Sequence, residues 1–216
     1  MKLSNLIEHT LLKPDANLIQ IKKLCDEAIE NNFVGVCLPP FYVPDAKIFL
    51  AESTVSLVTV VGFPMGYTAI SSKVEEVKRA IDEGADEIDM VTNICALKDG
   101  KWAHVRNDID SVTRATHLKG KIMKVILETA LLSDDEIKKL CDLCIELGVN
   151  YVKTSTGINA GATIESVKLL KQITDGTNVK IKASGGIKKK EFAEQLIMAG
   201  ANRIGTSASL DIIKMT

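Results

Sequence analysis

The chain has 216 residues, of which 46% are hydrophobic and 25% are charged. These values are ordinary for a globular protein with a large core, so the composition excludes a disordered chain. The 27 basic residues are balanced by 28 acidic ones, for a formal net charge of −1. No basic excess exists to drive binding to nucleic acid or to an anionic membrane, and we expect neither as a partner. This length fits one domain, over residues 1–216, if the fold is an α/β barrel or an open α/β sheet.

Five cysteines, an odd number, are scattered along the chain. Several lie in apolar segments, where a free cysteine behaves as a small hydrophobe. Cys141 and Cys144 have C-x-x-C spacing, but they lie inside a helical pattern and no second pair completes a zinc site. We therefore expect reduced cysteines and a cytoplasmic protein. The N-terminus lacks the apolar run of a signal peptide, and the uncharged stretch 53–72 has too many Gly, Pro, Ser and Thr residues for a membrane helix.

Short apolar runs rich in β-branched residues alternate along the chain with amphipathic helical patterns. Such runs are typical of strands that are buried on both faces of a parallel sheet. In chain order, the pattern predicts strands at 8–12, 33–38, 55–61, 87–91, 121–127, 150–153, 179–183 and 202–206. It predicts helices at 18–30, 72–83, 134–147, 163–173 and 189–198. The third helix begins with a capping box formed by Ser133 and Glu136.

The ends of successive predicted strands are separated by about 23 to 36 residues, which is the spacing of one βα unit per interval. We therefore predict an α/β fold, a single (β/α)8 TIM barrel with a short N-terminal helix. The alternative is an open, doubly wound sheet. No G-x-G-x-x-G motif follows the first strand, and eight even repeats favour closure of the sheet.

Charged residues interrupt strands whose other residues are apolar. Five of them lie in or directly after four successive predicted strands: Asp89, Lys124, Glu128, Lys153 and Lys182. Charges inside a closed barrel are costly unless they are paired, so one interpretation is a structural ion network among the five. The other is an active site, because barrel enzymes build theirs at the C-terminal ends of the strands. The excess of positive charge favours an anionic ligand or a deprotonated lysine.

Segments rich in glycine and hydroxyl groups follow the sixth and seventh predicted strands, at 154–157 and 184–187, and a third such segment lies at the end of the eighth, at 205–207. Glycine lets backbone N–H groups approach a phosphate closely, and hydroxyl groups add donors. The last βα loops of barrels frequently form phosphate sites. We therefore expect phosphate contacts from six residues: Thr156, Gly157, Gly185, Gly186, Gly205 and Ser207.

Seven ordered segments span nearly the whole chain: His9-Thr-Leu-Leu-Lys-Pro14, Val61-Gly-Phe-Pro64, Gly84-Ala-Asp-Glu-Ile-Asp-Met-Val91, Lys124-Val-Ile-Leu-Glu-Thr129, Val152-Lys-Thr-Ser-Thr-Gly157, Lys182-Ala-Ser-Gly-Gly-Ile187 and Arg203-Ile-Gly-Thr-Ser207. Together they resemble the motifs of the deoxyribose-phosphate aldolase family. The resemblance implies a class I aldolase that reversibly cleaves 2-deoxy-D-ribose 5-phosphate to acetaldehyde and D-glyceraldehyde 3-phosphate, with no metal or other cofactor. It also implies a homodimer or a higher homo-oligomer.

The resemblance assigns roles by motif position. Lys153 is expected to be the Schiff-base lysine, Lys182 its neighbouring lysine, and Asp89 the proton-relay carboxylate. Three further residues are expected to support them: Thr10, Cys37 and Lys124. A Schiff base forms from the neutral amine, and a lysine with an ordinary pKa near 10.4 is only about 0.04% neutral at pH 7. A charged Lys182 nearby would disfavour protonation of Lys153.

The chain departs from the family pattern in several places. Glu8 stands where Asp is common, the segment Cys37-Leu-Pro-Pro40 where Val-Asn-Pro is more frequent, and Lys188 where Arg is usual. The chemistry requires none of the histidines. We expect His9 to orient neighbours of the site, and we expect His104 and His117, in a helical pattern, to be surface or packing residues.

Two other functions stay open at this stage. One is a different lysine-dependent aldolase that acts on another sugar phosphate, since the loops bind a phosphate but do not measure the carbon chain. The other is a sugar-phosphate-binding barrel without catalysis. The set of Asp89, Lys153 and Lys182 argues against a pure binding protein, which has no use for two buried lysines side by side.

Overall fold

Eight parallel strands close into a barrel in which each strand is hydrogen-bonded to the next and the eighth returns to the first. The computed structural model describes residues 2–214. The strands are β1 (Ile7–Thr10), β2 (Gly35–Leu38), β3 (Ser56–Val61), β4 (Glu87–Val91), β5 (Ile122–Ile126), β6 (Tyr151–Lys153), β7 (Lys180–Ser184) and β8 (Arg203–Thr206). The predicted (β/α)8 barrel is confirmed, and every predicted strand boundary lies within about two residues of the observed one, the usual uncertainty of such limits.

Helices connect the strands and cover the outside of the barrel. They are α1 (Leu18–Glu30), α2 (Val43–Leu50), α3 (Ile70–Asp82), α4 (Ile94–Lys98), α5 (Trp102–His117), α6 (Asp134–Glu146), α7 (Ile164–Thr174), α8 (Lys190–Met198) and α9 (Ser209–Lys214). The predicted N-terminal helix is a single 3-10 turn over Leu3–Leu6. The sequence pattern did not predict α2, α4 or α9, and it indicated α5 only as a helical pattern around His104 and His117, without bounds. In α2, Pro44 occupies the first turn, where its missing N–H costs no helical hydrogen bond.

The main hydrophobic core lies between the outer face of the strands and the helices. On β4, for example, Ile88 and Met90 point outwards and belong to the same buried cluster as Val77 of α3 and Ile109 of α5. Each such side chain contributes about 1.5–3 kcal/mol of hydrophobic free energy when it is fully buried. This layer holds the barrel closed without using the residues that face its interior.

The interior of the barrel is divided into an apolar part and a charged part. Cys37, Val58 and Val60, from β2 and β3, form a small buried cluster that is separate from the main core. Because side chains alternate along a strand, Glu87 and Asp89 of β4 point inwards while their neighbours point outwards. None of the helices described is long and apolar enough to cross a membrane.

Candidate active site

Seven buried charged side chains fill the charged part of the barrel interior. They come from β1, β4, β5, β6, β7 and β8, and none is more than 8% exposed: Glu8, Glu87, Asp89, Lys124, Lys153, Lys182 and Arg203. Four cations therefore face three carboxylates within this cluster. Like charges in a buried site repel each other strongly, so the surplus cation favours the loss of one proton or the binding of an anion.

Asp89 lies at the centre of the cluster, where it binds three lysines. Its Oδ2 atom is 2.8 Å from Nζ of Lys153 and 2.6 Å from Nζ of Lys182, and its Oδ1 atom is 2.9 Å from Nζ of Lys124. Burial by itself raises the pKa of Asp89, but the three lysines outweigh burial and hold this pKa well below its ordinary value. The carboxylate is therefore ionised at neutral pH.

Lys182 is held between two carboxylates. Its ammonium group donates to Asp89 and to Glu8. Burial lowers the pKa of Lys182, but Asp89 and Glu8 outweigh burial, and the pKa lies above its ordinary value. Lys182 is therefore charged at neutral pH, as the sequence analysis expected. Gly205 of β8 makes room for it, because a Cβ atom at Gly205 would lie 3.0 Å from Cε of Lys182.

A second layer of charges lies deeper in the barrel. Nη1 of Arg203 is 2.8 Å from Oε1 of Glu8 and 2.5 Å from Oε2 of Glu87, and Nζ of Lys124 is 2.5 Å from the same Glu87 oxygen. Burial by itself raises the pKa of Glu8, but Lys124 and Lys182 outweigh burial and lower this pKa to about 2. Glu8, Glu87 and Arg203 were not predicted from the sequence as site residues. Alternation along β4 was a usable signal for Glu87, because it lies two residues before Asp89.

The interpretation of a five-residue ion network is wrong for Glu128. Among residues 2–214, no ion pair involves this carboxylate. Its backbone has φ 58° and ψ 55°, which ends the alternation of β5 and turns the side chain away from Asp89. The carboxylate instead accepts hydrogen bonds from Thr156, in the loop that follows β6.

A cleft of about 280 Å³ opens at the C-terminal end of the barrel, above the charged cluster. Of the seven clustered side chains, Lys153 is the one that lines the cleft. All six residues predicted to contact phosphate also line it: Thr156, Gly157, Gly185, Gly186, Gly205 and Ser207. The cleft is large enough for a small, phosphorylated metabolite. The structure therefore brings the predicted phosphate residues together beside the predicted nucleophile.

Glycines let two loops of the cleft pack backbone against backbone. Gly185 has φ 87°, and a Cβ atom there would lie 2.9 Å from Cα of Gly161 and 3.0 Å from Cα of Gly157. Any side chain at Gly185 would therefore collide with the loop after β6. We call the segments 156–157 and 185–186 the glycine cradle. Lys13 and Lys188 line the cleft as well and are exposed, so the side of the cleft away from the buried cluster also carries positive charge.

The three predicted supporting residues occupy different positions. Thr10 lines the cleft, and its hydroxyl donates to the backbone oxygen of Glu8 at 3.0 Å. Lys124 binds Asp89 from below. Cys37 is fully buried on the interior face of β2, and burial raises the pKa of its thiol to about 11. Cys37 is therefore an uncharged thiol at neutral pH.

Among residues 2–214, one group of side chains has the spacing to hold a metal ion. It consists of Glu8, Cys37 and Asp89, whose ligand atoms lie within 4.8 Å of one another. Both carboxylates are already bonded to cations, and the raised pKa of Cys37 keeps its thiol protonated. A metal ion would have to displace these partners, so the donor set fits a metal poorly.

The histidines are outside the charged cluster. His9 lies on the outer face of β1 and forms hydrogen bonds with Ser209 at 2.9 Å and with Glu27 at 2.8 Å. It therefore ties β1 to α9 and α1. His104 and His117 lie on α5 and are exposed, in agreement with the expectation for these two residues.

A buried lysine at the floor of a glycine-lined cleft, on a (β/α)8 barrel, is the architecture of an aldolase. The family model described as DeoC/LacD family aldolase matches residues 6–215. The chain is 50% identical over 219 residues to the deoxyribose-phosphate aldolase of Mycoplasmoides pirum, covering 100% of this chain and 98% of that one. It is 50% identical over 214 residues to that of Mannheimia succiniciproducens, covering 99% and 94%. The chain therefore belongs to the DeoC/LacD family of aldolases, and it is a lyase.

A solved structure supports the same assignment. The tetrameric deoxyribose phosphate aldolase of Aeropyrum pernix superposes with a TM-score of 0.92 and is 30% identical, with 98% of this chain and 89% of that chain covered. The fold and the family assignment therefore agree.

Proposed function

We propose that this aldolase is a class I enzyme that reversibly cleaves 2-deoxy-D-ribose 5-phosphate to acetaldehyde and D-glyceraldehyde 3-phosphate, through a Schiff base on Lys153. The observation that carries the proposal is the position of Lys153, which alone of the seven clustered side chains lines the cleft that holds the glycine cradle. The substrate is supported by relatives of 50% identity that are deoxyribose-phosphate aldolases.

Catalysis begins with the formation of an imine. The neutral amine of Lys153 adds to the C1 aldehyde of the open-chain sugar, and the carbinolamine that results loses water to give a protonated imine. Lys182 is charged when the imine forms, because Asp89 and Glu8 raise its pKa. The fixed cation disfavours a second positive charge on Lys153, and the strand register places the two residues directly opposite each other on β6 and β7.

The carbon–carbon bond breaks in the second step. A base removes the proton of the C3 hydroxyl, the C2–C3 bond breaks, and its electron pair moves towards the protonated imine. D-glyceraldehyde 3-phosphate leaves, and the enamine of acetaldehyde stays on Lys153. Protonation of the enamine at C2 and hydrolysis of the imine release acetaldehyde. Asp89 and Lys182, joined by a hydrogen bond of 2.6 Å, are the groups that hold and move these protons, by way of a water molecule.

The phosphate of the substrate lies in the glycine cradle. Gly157, Gly185 and Gly186 have positive φ angles and line the same side of the cleft, where backbone N–H groups can approach an anion without a side chain in between. Lys13 and Lys188 add positive charge near this group.

The test is borohydride trapping with acetaldehyde. Reduction of the imine should leave a stable ethyl group on Lys153, located by peptide mapping, and the purified chain should release acetaldehyde from 2-deoxy-D-ribose 5-phosphate. A purely binding protein would form no adduct. An aldolase for another sugar phosphate would be trapped by its own carbonyl substrate and would not release acetaldehyde.

We also propose that the chain assembles as a homodimer or a higher homo-oligomer in the cytoplasm. Support for assembly comes from the tetrameric relative and from large apolar side chains exposed on the adjacent helices α1 and α2: Leu18, Ile19 and Ile48. Support for the compartment comes from five cysteines that are all free. Sedimentation velocity should give a particle of at least two chains, and a monomer at micromolar concentration would contradict the assembly.

A further inference from the structure

Glu128 is a buried carboxylate that the proposed mechanism does not use. It lies 1% exposed between the end of β5 and the 3-10 turn Thr129–Leu131, with no ion pair to any residue in 2–214. We infer that Glu128 is a positioning residue, whose carboxylate fixes the loop after β6 and thereby sets the geometry of the phosphate cradle. The inference rests on the proposed function only for the statement that the anion bound in the cradle is a phosphate.

The backbone of Glu128 is held in an uncommon conformation for a residue with a side chain. Its φ of 58° lies in the left-handed region, which non-glycine residues rarely adopt. Backbone hydrogen bonds fix it from both sides: N–H of Leu127 donates to the oxygen of Lys153 at 2.8 Å, and N–H of Thr129 donates to the oxygen of Thr154 at 2.9 Å. The side chain of Glu128 is thereby aimed at the residues that follow Lys153.

The carboxylate of Glu128 takes up both donors of Thr156. The backbone N–H of Thr156 donates to Oε1 at 3.2 Å, and its hydroxyl donates to Oε2 at 2.5 Å. The amide of Asn159 adds a longer contact to Oε2, at 3.4 Å. Thr156 lines the cleft, but its two donors bind Glu128 and not the ligand. Its expected role as a phosphate donor is thereby changed to that of a link between Glu128 and the cradle.

The effect of this link reaches the cradle through direct contacts. Gly157 follows Thr156, and the N–H of Ile158 donates to the Thr156 hydroxyl at 3.2 Å, so the turn around Gly157 is fixed on both sides. Gly157 in turn lies against Gly185, whose hypothetical Cβ atom would be 3.0 Å from Cα of Gly157. One carboxylate at the end of β5 therefore sets the separation of the loops after β6 and β7.

A carboxylate suits this task better than an amide. The carboxylate of Glu128 offers acceptors on both oxygens, which match the N–H and O–H donors of Thr156. A glutamine would keep one acceptor and turn an NH2 group towards a second donor. Hydrogen bonds to an ionised acceptor are also stronger than those between neutral groups. The variant Glu128→Gln therefore changes the cradle with almost no change in side-chain volume.

The test compares a phosphorylated with an unphosphorylated substrate. In Glu128→Gln, the kcat/KM for 2-deoxy-D-ribose 5-phosphate should fall about tenfold more than that for 2-deoxy-D-ribose, mainly through KM, because one hydrogen bond between residue 128 and Thr156 is lost behind the cradle. The Kd for inorganic phosphate, measured by calorimetry, should rise by a similar factor. Trapping of acetaldehyde on Lys153 should be unchanged. A loss that is equal for both substrates, or a normal phosphate Kd, overturns the inference.

Matched variants separate positioning from stability. Asp86→Asn is the control, because the carboxylate of Asp86 also accepts a backbone N–H, that of Leu57 at 3.1 Å, but at the opposite end of the barrel. Asp86→Asn should leave the ratio of kcat/KM between 2-deoxy-D-ribose 5-phosphate and 2-deoxy-D-ribose unchanged. Thr156→Val removes the hydroxyl group that binds Glu128. It should lower the kcat/KM for 2-deoxy-D-ribose 5-phosphate relative to that for 2-deoxy-D-ribose, as Glu128→Gln does. It also tests the link if Glu128→Gln does not fold. The double variant Glu128→Gln/Thr156→Val should lose no more kcat/KM for the phosphorylated substrate than either single variant. Additive losses would contradict a shared link.

The inference and the proposed function fail in different ways. If the wild-type chain does not trap acetaldehyde, the proposed reaction is wrong, while the phosphate Kd of Glu128→Gln still tests the cradle. If the wild-type chain traps acetaldehyde and the Kd is unaffected in Glu128→Gln and in Thr156→Val, the reaction stands and the positioning role of Glu128 is wrong.

Discussion

Lys153 and Lys182 share a single carboxylate oxygen, since their Nζ atoms lie 2.8 Å and 2.6 Å from Oδ2 of Asp89. The two lysines are also direct register partners on β6 and β7. Asp89 therefore stabilises positive charge on both amines, while each amine disfavours charge on the other. Because Glu8 binds Lys182 as well, the pair is asymmetric: Lys182 has two anionic partners and Lys153 has one. This asymmetry supports the proposal that Lys182 carries the charge and that Lys153 is the nucleophile.

The first prediction concerns Lys182→Met. Removal of this cation leaves Asp89 with one fewer partner and removes the repulsion on Lys153, so protonated Lys153 becomes more favourable. The acidic limb of the pH–rate profile should move to higher pH, and the residual rate should be greatest in alkaline buffer. Rates of imine formation and of turnover should be measured separately across this range.

Lys171→Met is the control for that experiment, because Lys171 is an exposed lysine paired with Asp175 on α7. It should leave the pH profile unchanged. If Lys182→Met traps acetaldehyde normally at the pH optimum of the wild-type chain yet turns over slowly, the electrostatic role is wrong and the proton-relay role alone stands.

The second prediction concerns the nucleophile. Lys153→Leu should fold, because Asp89 keeps Lys124 and Lys182 as partners, and it should lose essentially all cleavage of 2-deoxy-D-ribose 5-phosphate. Circular dichroism and thermal unfolding check the fold, and coupled detection of D-glyceraldehyde 3-phosphate checks activity. Turnover at the wild-type rate by this variant would mean that another group forms the covalent intermediate.

The sequence was sufficient to predict the strands because each strand of a barrel is a short apolar run between helices. The sequence was insufficient to predict α2, because Pro44 argues against a helix. A helix tolerates proline in its first turn, which is where Pro44 lies. The sequence placed Lys153 and Lys182 on the same rim, at the ends of adjacent predicted strands, but not their register. In the structure the two residues are direct register partners, and Lys182 lies two residues before the end of β7. The inference of a shared rim depends on parallel strands of known order, which eight even repeats supplied.

The charged cluster was only partly predictable. Asp89, Lys124, Lys153 and Lys182 stand out because each interrupts an apolar strand. Glu8 and Arg203 lie at the starts of their predicted strands, where a charged side chain can reach solvent, so they did not stand out in the sequence. Glu128 was misplaced because its orientation depends on a left-handed backbone that the residue type does not predict.

The third prediction concerns Asp89→Asn, which removes the central anion with almost no change in shape. Three lysines would then lose their shared partner in a fully buried site, so we expect the free energy of unfolding to fall by about 3–5 kcal/mol and activity to fall with it. Urea unfolding measures the first and acetaldehyde release the second. A second substitution, Lys124→Met, removes one of the uncompensated cations, and it should recover part of the stability but not the activity. No recovery would show that the loss is not electrostatic.

The fourth prediction concerns metal independence. The one described group with metal-ligand spacing, Glu8, Cys37 and Asp89, is already bonded to cations or protonated. Activity should therefore survive dialysis against EDTA, and added Zn²⁺ should not raise it. The same dialysis applied to a zinc-dependent aldolase gives the positive control. Loss of activity with EDTA that Zn²⁺ restores would require a mechanism without the Lys153 imine.

The fifth prediction concerns acid. In the folded chain the pKa of Glu8 falls from its ordinary 4.5 to about 2, because Lys124 and Lys182 outweigh the effect of burial, and the pKa of Asp89 is also well below its ordinary value. A depressed carboxyl pKa contributes stability that is complete above the unfolded pKa and is lost as pH falls through the folded one. Glu8 should therefore contribute about 3 kcal/mol to the free energy of unfolding, and this contribution is lost between about pH 4.5 and pH 2.

Urea unfolding across this pH window should show a steep fall in the free energy of unfolding of the wild-type chain. Glu8→Gln should be less stable at pH 7 but should lose less on acidification, whereas Glu146→Gln, at an exposed ion pair on α6, should follow the wild-type curve. Parallel curves for the wild-type chain and Glu8→Gln would mean that Glu8 is not ionised in the folded state, and that the asymmetry assigned to Lys153 and Lys182 has another origin.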